Sequence, residues 1–162
     1  MFTVTRFADY AARVVLHLSC LEEGALVSIP ELAAARDLPV PFLRRVVSRL
    51  SEVGILRTVR GTNGGVALGK TPDQISLHDV LEAMEGHSCA SPCLESPKGC
   101  PFSTECPVRG MWASATDLLD NHLKSVLFSG LADADRHRAA HRRIRDTRKP
   151  SRSPKPRVLK GT

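Results

Sequence analysis

The sequence contains few aromatic residues and no long apolar run. Only 4% of its 162 residues are Phe, Trp or Tyr although 42% are hydrophobic, so it predicts one domain with an aliphatic core, with or without an appendage. The absence of about 18 consecutive apolar residues excludes a conventional membrane-spanning helix. The N-terminal residues also lack the apolar stretch of a secretory signal. We therefore expect a cytoplasmic protein without a membrane partner.

Motifs of catalysis and of disulfide frameworks are missing as well. No nucleophile–base set stands out, and Gly61, Gly64 and Gly65 lie in a turn between two short strands rather than in a nucleotide-binding loop. Five cysteines, an odd number in a chain without an export signal, favour thiols that bind a metal over thiols paired in disulfides. The sequence thus predicts a protein that is not an enzyme.

Residues 1–86 have the pattern of a winged helix-turn-helix. Ser28 and Glu31 form a capping box for a short second helix, and Pro41 suits the first turn of a third helix that runs to Val53. The third helix is apolar behind and basic in front, as a helix that enters a DNA groove is. Its expected buried stripe consists of Phe42, Leu43, Val46, Val47 and Leu50.

A β-hairpin follows this third helix and predicts the wing. Two short strands, 55–59 and 66–68, flank a turn in which Asn63 and Gly64 are suited to positive φ angles. Arg60, at the base of this hairpin, can reach a minor groove or a phosphate. The predicted fold class is therefore mainly α with a small β wing.

Three cysteines occupy the loop predicted at 87–107. Six residues separate Cys93 from Cys100, and five separate Cys100 from Cys106. Structural zinc sites generally use a tighter C-x2-C or C-x4-C spacing, so a bulkier iron–sulfur cluster fits this loop better. Zinc and uncoordinated thiols remain alternatives, and Cys89 is either a fourth ligand or a bystander.

The chain ends with an apolar helix and a basic tail. Apolar residues recur at helical spacing over 108–131, which predicts a helix that pairs in a two-fold homodimer. Residues 136–162 contain 11 Lys or Arg and one acidic residue, a charge of +10, whereas residues 1–135 contain 12 and 16, a charge of −4. Residues 132–162 are therefore predicted to be a disordered tail, either simply solvated or binding phosphate.

Three segments together resemble the Rrf2 family of winged-helix regulators, which includes NsrR, IscR and RirA. They are FADYAAR at 7–13, VRGTNGGVALGK at 59–70 and the three-cysteine loop. The resemblance covers about residues 1–131 and is greatest to the NsrR-like branch. It implies that Cys93, Cys100 and Cys106 bind an iron–sulfur cluster, with 4Fe-4S favoured and 2Fe-2S possible.

In the NsrR-like branch a carboxylate of the other protomer completes the coordination, and Asp9 stands at the matching place. Asp9 could instead interact with the N-terminal dipole of its helix or pair with Arg13. The IscR branch uses a histidine where this chain has Arg109, which argues against an IscR-type site.

The resemblance also implies contacts with double-stranded DNA. Arg44 and Arg45 fall where the family places base- and phosphate-reading side chains, and Arg49 suits a phosphate. The alternative is a solvated basic face. The expected DNA-binding residues are Ser28, Pro41, Arg44, Arg45, Arg49, Arg60, Asn63 and Gly64.

The expected function is that of a homodimeric repressor on a palindromic operator, with a cluster that senses nitric oxide, redox state or iron. A zinc or thiol-redox regulator and an electron-transfer protein are the alternatives.

Overall fold

The computed structural model describes residues 3–61, 64–86, 91–102 and 104–147, and these are mostly helical with a two-stranded antiparallel sheet. This arrangement confirms the predicted fold class. Two 3-10 turns lie at Pro72–Gln74 and Pro97–Gly99. The helices and strands are α1 (Arg6–Ser19), α2 (Ile29–Arg36), α3 (Val40–Glu52), β1 (Leu56–Val59), β2 (Gly65–Leu68), α4 (Leu77–Glu85), α5 (Pro92–Glu95), α6 (Pro107–Ser125) and α7 (Phe128–Thr147).

The core lies between α1, α3, α4 and the hairpin. Leu43, Val46 and Leu50 of α3 are fully buried, and Val47 is 4% exposed. Phe42, the fifth member of the predicted stripe, is 47% exposed, so its assignment to the core is wrong. It lies at the margin of the stripe, where its ring packs edge-on against that of Tyr10 on α1.

The wing is the β1–β2 hairpin, in which Leu56 pairs with Leu68 and Val59 with Gly65. Val27 extends the sheet edge by exchanging backbone hydrogen bonds of 3.0 and 2.8 Å with Val66.

The turn of the hairpin differs from the sequence prediction. The positive φ lies at Gly61 (114°) and not at Gly64. Gly64 is required for another reason, because a Cβ there would overlap the carbonyl oxygen of Val59. Asn63 lies outside the described residues.

The segment before α4 joins the winged helix to the C-terminal helices. Ser76 and Asp79 form the capping box of α4. The Leu77 amide donates to the Val126 carbonyl at 2.8 Å, and the Phe128 amide donates to the Ile75 carbonyl at 2.9 Å. These two bonds fix the end of α6 and the start of α7 against the core.

The long apolar helix and the tail differ from their predicted bounds. α6 ends at Ser125, and a second helix, α7, continues to Thr147. The prediction of a disordered tail is therefore wrong for residues 132–147, and residues 148–162 lie outside the described residues. α7 forms because its first turns carry Phe128 and Ala132, which are buried against the core. Within the described part of the chain, no helix is long and apolar enough to span a bilayer.

Candidate nucleic-acid interface and cysteine loop

The N-terminal half of α3 presents two arginines beside α1. Pro41 lies in its first turn, and Arg44 and Arg45 are exposed. The guanidinium carbon of Arg45 lies 5.3 Å from the ring centroid of Phe7, a cation–π contact that restricts the side chain. One face of α3 is thus held against α1 while Arg44 points to solvent.

Arg49 has partners within the chain. Its Nε donates to the Ala83 carbonyl at 2.9 Å, and its Nη1 lies 3.2 Å from a carboxylate oxygen of Glu52. The guanidinium therefore links α3 to the end of α4. Its predicted contact with phosphate stays a prediction.

Ser28 caps α2 through both halves of a capping box. The Glu31 amide donates to the Ser28 hydroxyl, and the Ser28 amide donates to the Glu31 carboxylate at 3.0 Å. The hydroxyl also donates to that carboxylate at 2.7 Å. These hydrogen bonds lower the pKa of Glu31 because they favour its ionised form.

The wing contributes Arg60 and Gly64 at its turn. Arg60 is exposed, and Gly64 is half-buried beside the Val59 carbonyl. The predicted roles of both in DNA contact stay predictions, as do those of Ser28, Arg44 and Arg45.

The three cysteines lie at three different places in the secondary structure. Cys93 lies on the one-turn helix α5, Cys100 follows the 3-10 turn, and Cys106 is the N-cap residue of α6. All three are free thiols and are half-buried. Cys89 lies outside the described residues. Cys106 therefore lies at the N-terminal end of a 19-residue helix, where the dipole favours negative charge.

Two side chains make polar contacts with Cys93 in the loop. The sulfur of Cys93 lies 3.2 Å from the hydroxyl oxygen of Ser91, and the Nε of Arg109 donates to the Cys93 carbonyl at 3.3 Å. Arg109 thus fastens α5 to the first turn of α6. This gives it a structural role at the position where a histidine ligand would stand in the IscR branch.

The three thiols are the right kind of ligand for an iron–sulfur cluster, but within a single chain they are not arranged as a cluster site. Three unpaired thiols on one short segment are the ligand type that such clusters use. Among the described residues of one chain, however, no group of three or more His, Cys, Asp or Glu side chains lies close enough to hold a metal ion. The three thiols therefore need to move together, or to gain a further ligand, before they can form a site.

Asp9 lies in the first turn of α1, beside a cleft of about 510 Å³ between α1, α4 and α6. Its carboxylate pairs with Arg13 at 2.8 Å, and both side chains are about half exposed. The apolar wall of the cleft includes Leu77, Leu81 and Leu123. The carboxylate is thus accessible from outside the chain at the edge of an apolar recess.

The comparisons with known proteins show the family of the chain. The model of the Rrf2 family, described as an iron-dependent transcriptional regulator, matches residues 4–134. The chain belongs to the Rrf2 family. It is accordingly a DNA-binding transcriptional regulator and not an enzyme.

Individual Rrf2 proteins and related structures are similar over most of the chain. The HTH-type transcriptional regulator NsrR of Bacillus licheniformis is 29% identical over 124 residues, covering 74% of this chain and 87% of that protein. The structure of CymR, the global cysteine regulator of B. subtilis, has a TM-score of 0.69 at 26% identity, covering 83% and 98%. The fold also matches T. potens IscR, with a TM-score of 0.65 at 21% identity, covering 82% and 88%.

The fourth described cysteine of this Rrf2 protein belongs to a different environment. The sulfur of Cys20 lies 3.7 Å from a carboxylate oxygen of Asp135 on α7. Burial, followed by the charge of Asp135, raises the pKa of the Cys20 thiol. The thiol therefore stays protonated, which suits packing and disfavours metal binding.

Contacts between α1 and α3 are the part of the site that sequence reasoning missed. Phe7 and Tyr10 belong to the partly buried stripe of α1, and they also contact Arg45 and Phe42, which are exposed on α3. The spacing of Phe7 and Tyr10 around Asp9 was visible in the sequence, but it does not reveal which helix they face.

Proposed function

We propose that this Rrf2 protein is a cytoplasmic, homodimeric repressor whose affinity for a palindromic operator is set by an iron–sulfur cluster. The ligands are Cys93, Cys100 and Cys106 of one protomer and Asp9 of the other. The observation that carries the proposal is the position of Asp9. It lies in α1 between two aromatic residues, Phe7 and Tyr10, whose rings contact Arg45 and Phe42 of α3.

The unpaired apolar face of α6 supports the dimer. Val108, Met111 and Trp112 are 55%, 73% and 45% exposed, although the first two turns of a helix seldom leave such large apolar groups in water. A second copy of α6 would cover them. Two-fold symmetry then lets α1 of one protomer face the cysteine loop of the other.

The coordination chemistry supports a sensor. When bound, a 4Fe-4S or 2Fe-2S cluster supplies iron and sulfide that nitric oxide and oxygen attack. A carboxylate is a harder donor than a thiolate, so Asp9 is the ligand that releases most readily. To serve as a ligand it must leave Arg13, its present partner at 2.8 Å.

The contacts of α1 supply a physical route from ligation to DNA binding. A change in the position of Asp9 moves the turn of α1 that carries Phe7, and Arg45 packs on that ring. Paired recognition helices need a fixed separation to enter two half-sites one helical turn apart. The change in operator affinity cannot exceed the difference in cluster binding free energy between the two arrangements of the dimer.

Metal analysis after anaerobic purification tests the cofactor. We expect iron and acid-labile sulfide, with a mass by native mass spectrometry that assigns the cluster type. Titration with nitric oxide, oxygen and a chelator should then lower operator binding in parallel with loss of the cluster. Zinc without iron or sulfide would instead establish the zinc or thiol-redox regulator.

Mixed dimers test the shared coordination. One protomer carries Asp9→Ala, and the other carries Ser at all three cysteine positions of the loop. If Asp9 acts across the dimer, the mixed dimer keeps one complete ligand set and binds one cluster as stably as the wild-type protein does. If Asp9 acts within its own chain, neither site is complete and the remaining cluster is labile.

Arg13→Ala is the matched control for Asp9→Ala, because it breaks the same ion pair but keeps the carboxylate. Cluster stability should fall only when Asp9 is replaced. An equal effect of both substitutions would assign Asp9 to the helix terminus and refute its role as a ligand.

The recognition helix is tested by Arg44→Ala combined with Arg45→Ala. This variant should lose operator footprinting while its visible absorption from the cluster is unchanged. A retained footprint would refute the assignment of α3 as the DNA reader.

A further inference from the structure

The cleft beside Asp9 has an apolar wall that the described residues of its own protomer leave partly open. Its lining includes Val4, Ala12, Leu81 and Leu123. Val4 is 41% exposed, and Ala12 and Leu123 are only half-buried. A cavity of about 150 Å³ holds a benzene ring. The cleft, with about 510 Å³, therefore has room for a large apolar side chain and the backbone beside it.

The cysteine loop carries a phenyl ring that suits such a recess. Phe102 is 73% exposed and lies two residues after Cys100 and four residues before Cys106. Removal of a phenyl ring from water strengthens an association by about 10–100-fold. The ring is therefore a source of binding energy that its own protomer leaves largely unused.

The cleft and the cysteine loop lie toward opposite ends of α6 within one protomer. Cys106 is the N-cap residue of this helix, whereas Leu123, in the last turn, lines the cleft. At 1.5 Å per residue the two positions are about 26 Å apart. A second copy of the chain is thus the better source of an aromatic side chain for the cleft.

An antiparallel pair of α6 helices brings the loop of one protomer to the cleft of the other. A two-fold axis perpendicular to the helices places the first turn of one near the end of its partner. Because α6 has 19 residues, it is about 28 Å long, similar to the separation of about 34 Å between half-sites one DNA turn apart. The winged helix is fastened to the C-terminal end of α6 through Leu77 and Val126, so antiparallel helices give the two winged helices a spacing of this size. A parallel pair would instead place both winged helices at one end.

We propose that Phe102 of one protomer inserts into the cleft beside Asp9 of the other. This insertion docks the cysteine loop on the partner and brings Cys100 and Cys106 toward the carboxylate of Asp9. The inference deepens the proposed function by naming the contact that joins the two halves of the shared site. It rests on the proposed dimer but not on the cluster.

Photo-cross-linking of the full-length protein tests this contact. Benzoylphenylalanine incorporated at position 102 should give a covalent dimer on a denaturing gel after irradiation. Peptide mass spectrometry should locate the link in residues 4–12 or 77–81 of the other chain. The same photoreactive residue at position 118 is the matched control, because Leu118 is also 73% exposed. It should link to α6 of the partner and not to the cleft.

The substitution Phe102→Ala tests the energy of the contact. We expect the dissociation constant of the dimer, measured by analytical ultracentrifugation, to rise about 10–100-fold. Thermal unfolding of the protomer should be unchanged because the ring is exposed there. Phe102→Leu keeps an apolar side chain and should retain most of the affinity.

Four outcomes would overturn the proposal. They are a link from position 102 within one chain, a link outside the cleft, a protein that stays monomeric, and an unchanged dissociation constant for Phe102→Ala. Iron and sulfide analysis of the same sample separates this contact from the sensor. A covalent dimer through the cleft in protein that binds no iron would keep the contact and refute the sensor, whereas a bound cluster without this link would do the reverse.

Discussion

The winged helix and the segment 91–125, called the cysteine arm below, differ in how much of their surface they bury. In the winged helix, residues such as Leu32, Leu43 and Val80 have no exposed surface. Among the described residues from Ser91 to Ser125, Thr116 is the single buried one. The winged helix thus folds on its own core, whereas the cysteine arm buries little of its own surface and is expected to be locally less stable.

Core truncation should separate the two regions most strongly. Leu50→Ala empties a fully buried site and should lower the free energy of unfolding by about 2–5 kcal/mol. Met111→Ala on α6, where the side chain is 73% exposed, should change the unfolding of the protomer by less than about 0.5 kcal/mol.

Urea denaturation measures both substitutions, and analytical ultracentrifugation should show a weaker dimer for Met111→Ala. Equal destabilisation by the two would contradict the contrast between core and arm.

The two capping boxes offer a smaller, matched comparison. Ser76 is 6% exposed and its hydroxyl donates to Asp79 at 2.6 Å, whereas Ser28 is half-buried at the surface. Ser76→Ala should cost about 1–2 kcal/mol and Ser28→Ala about 0.5–1 kcal/mol, because Asp79 is left with less access to water.

Thermal unfolding monitored by circular dichroism shows which of the two variants loses more stability. The reverse order would mean that the joint between α4 and the C-terminal helices contributes little to stability.

The smallest expected effect is a pH dependence at the contact between α7 and the winged helix. The Nδ1 of His17 accepts from the Nε of Arg36 at 3.3 Å, and Asp135 and Cys20 complete this group. Burial, then the charge of Arg36, lowers the pKa of His17 below 6.5, so the unfolded chain takes up this proton more readily. Stability is therefore complete above about pH 6.5 and declines as the pH falls through the lowered pKa.

Thermal melting between pH 7.5 and pH 5 checks this sign. His17→Gln should flatten the decline, because the substitution removes the group whose pKa is lowered on folding. An unchanged pH profile in this variant would assign the decline to other groups.

Local patterns in the sequence were sufficient to predict the elements whose stabilising contacts lie within a few residues of each other. The capping boxes of Ser28 and Ser76 depend on residues three positions apart, so both helix starts were predictable. Phe42 and α7 were not, because helical spacing defines a stripe without stating what covers its margins. The basic composition of α7 predicts disorder, whereas the helix depends on the burial of Phe128 and Ala132 against distant parts of the chain.

The candidate site divides in the same way. The spacing of Cys93, Cys100 and Cys106 lies within one segment and was visible at once. The contacts of Arg49 with Ala83 and of Arg45 with Phe7 join separate helices, so no spacing rule could predict them. The role of Asp9 depends on a second protomer, and a single chain has no pattern that defines it.

The joint at Leu77–Val126 and Ile75–Phe128 gives α6 the mechanics of a lever. α6 is fastened to the winged helix at its C-terminal end and carries Cys106 at its other end, 19 residues away. At 1.5 Å per residue the two ends are about 28 Å apart, so a tilt of about 10° at the joint displaces Cys106 by about 5 Å. Small rotations at the base of α4 thus become large excursions of the thiols, and a force applied at the thiols acts on the joint with the full length of the helix as its arm.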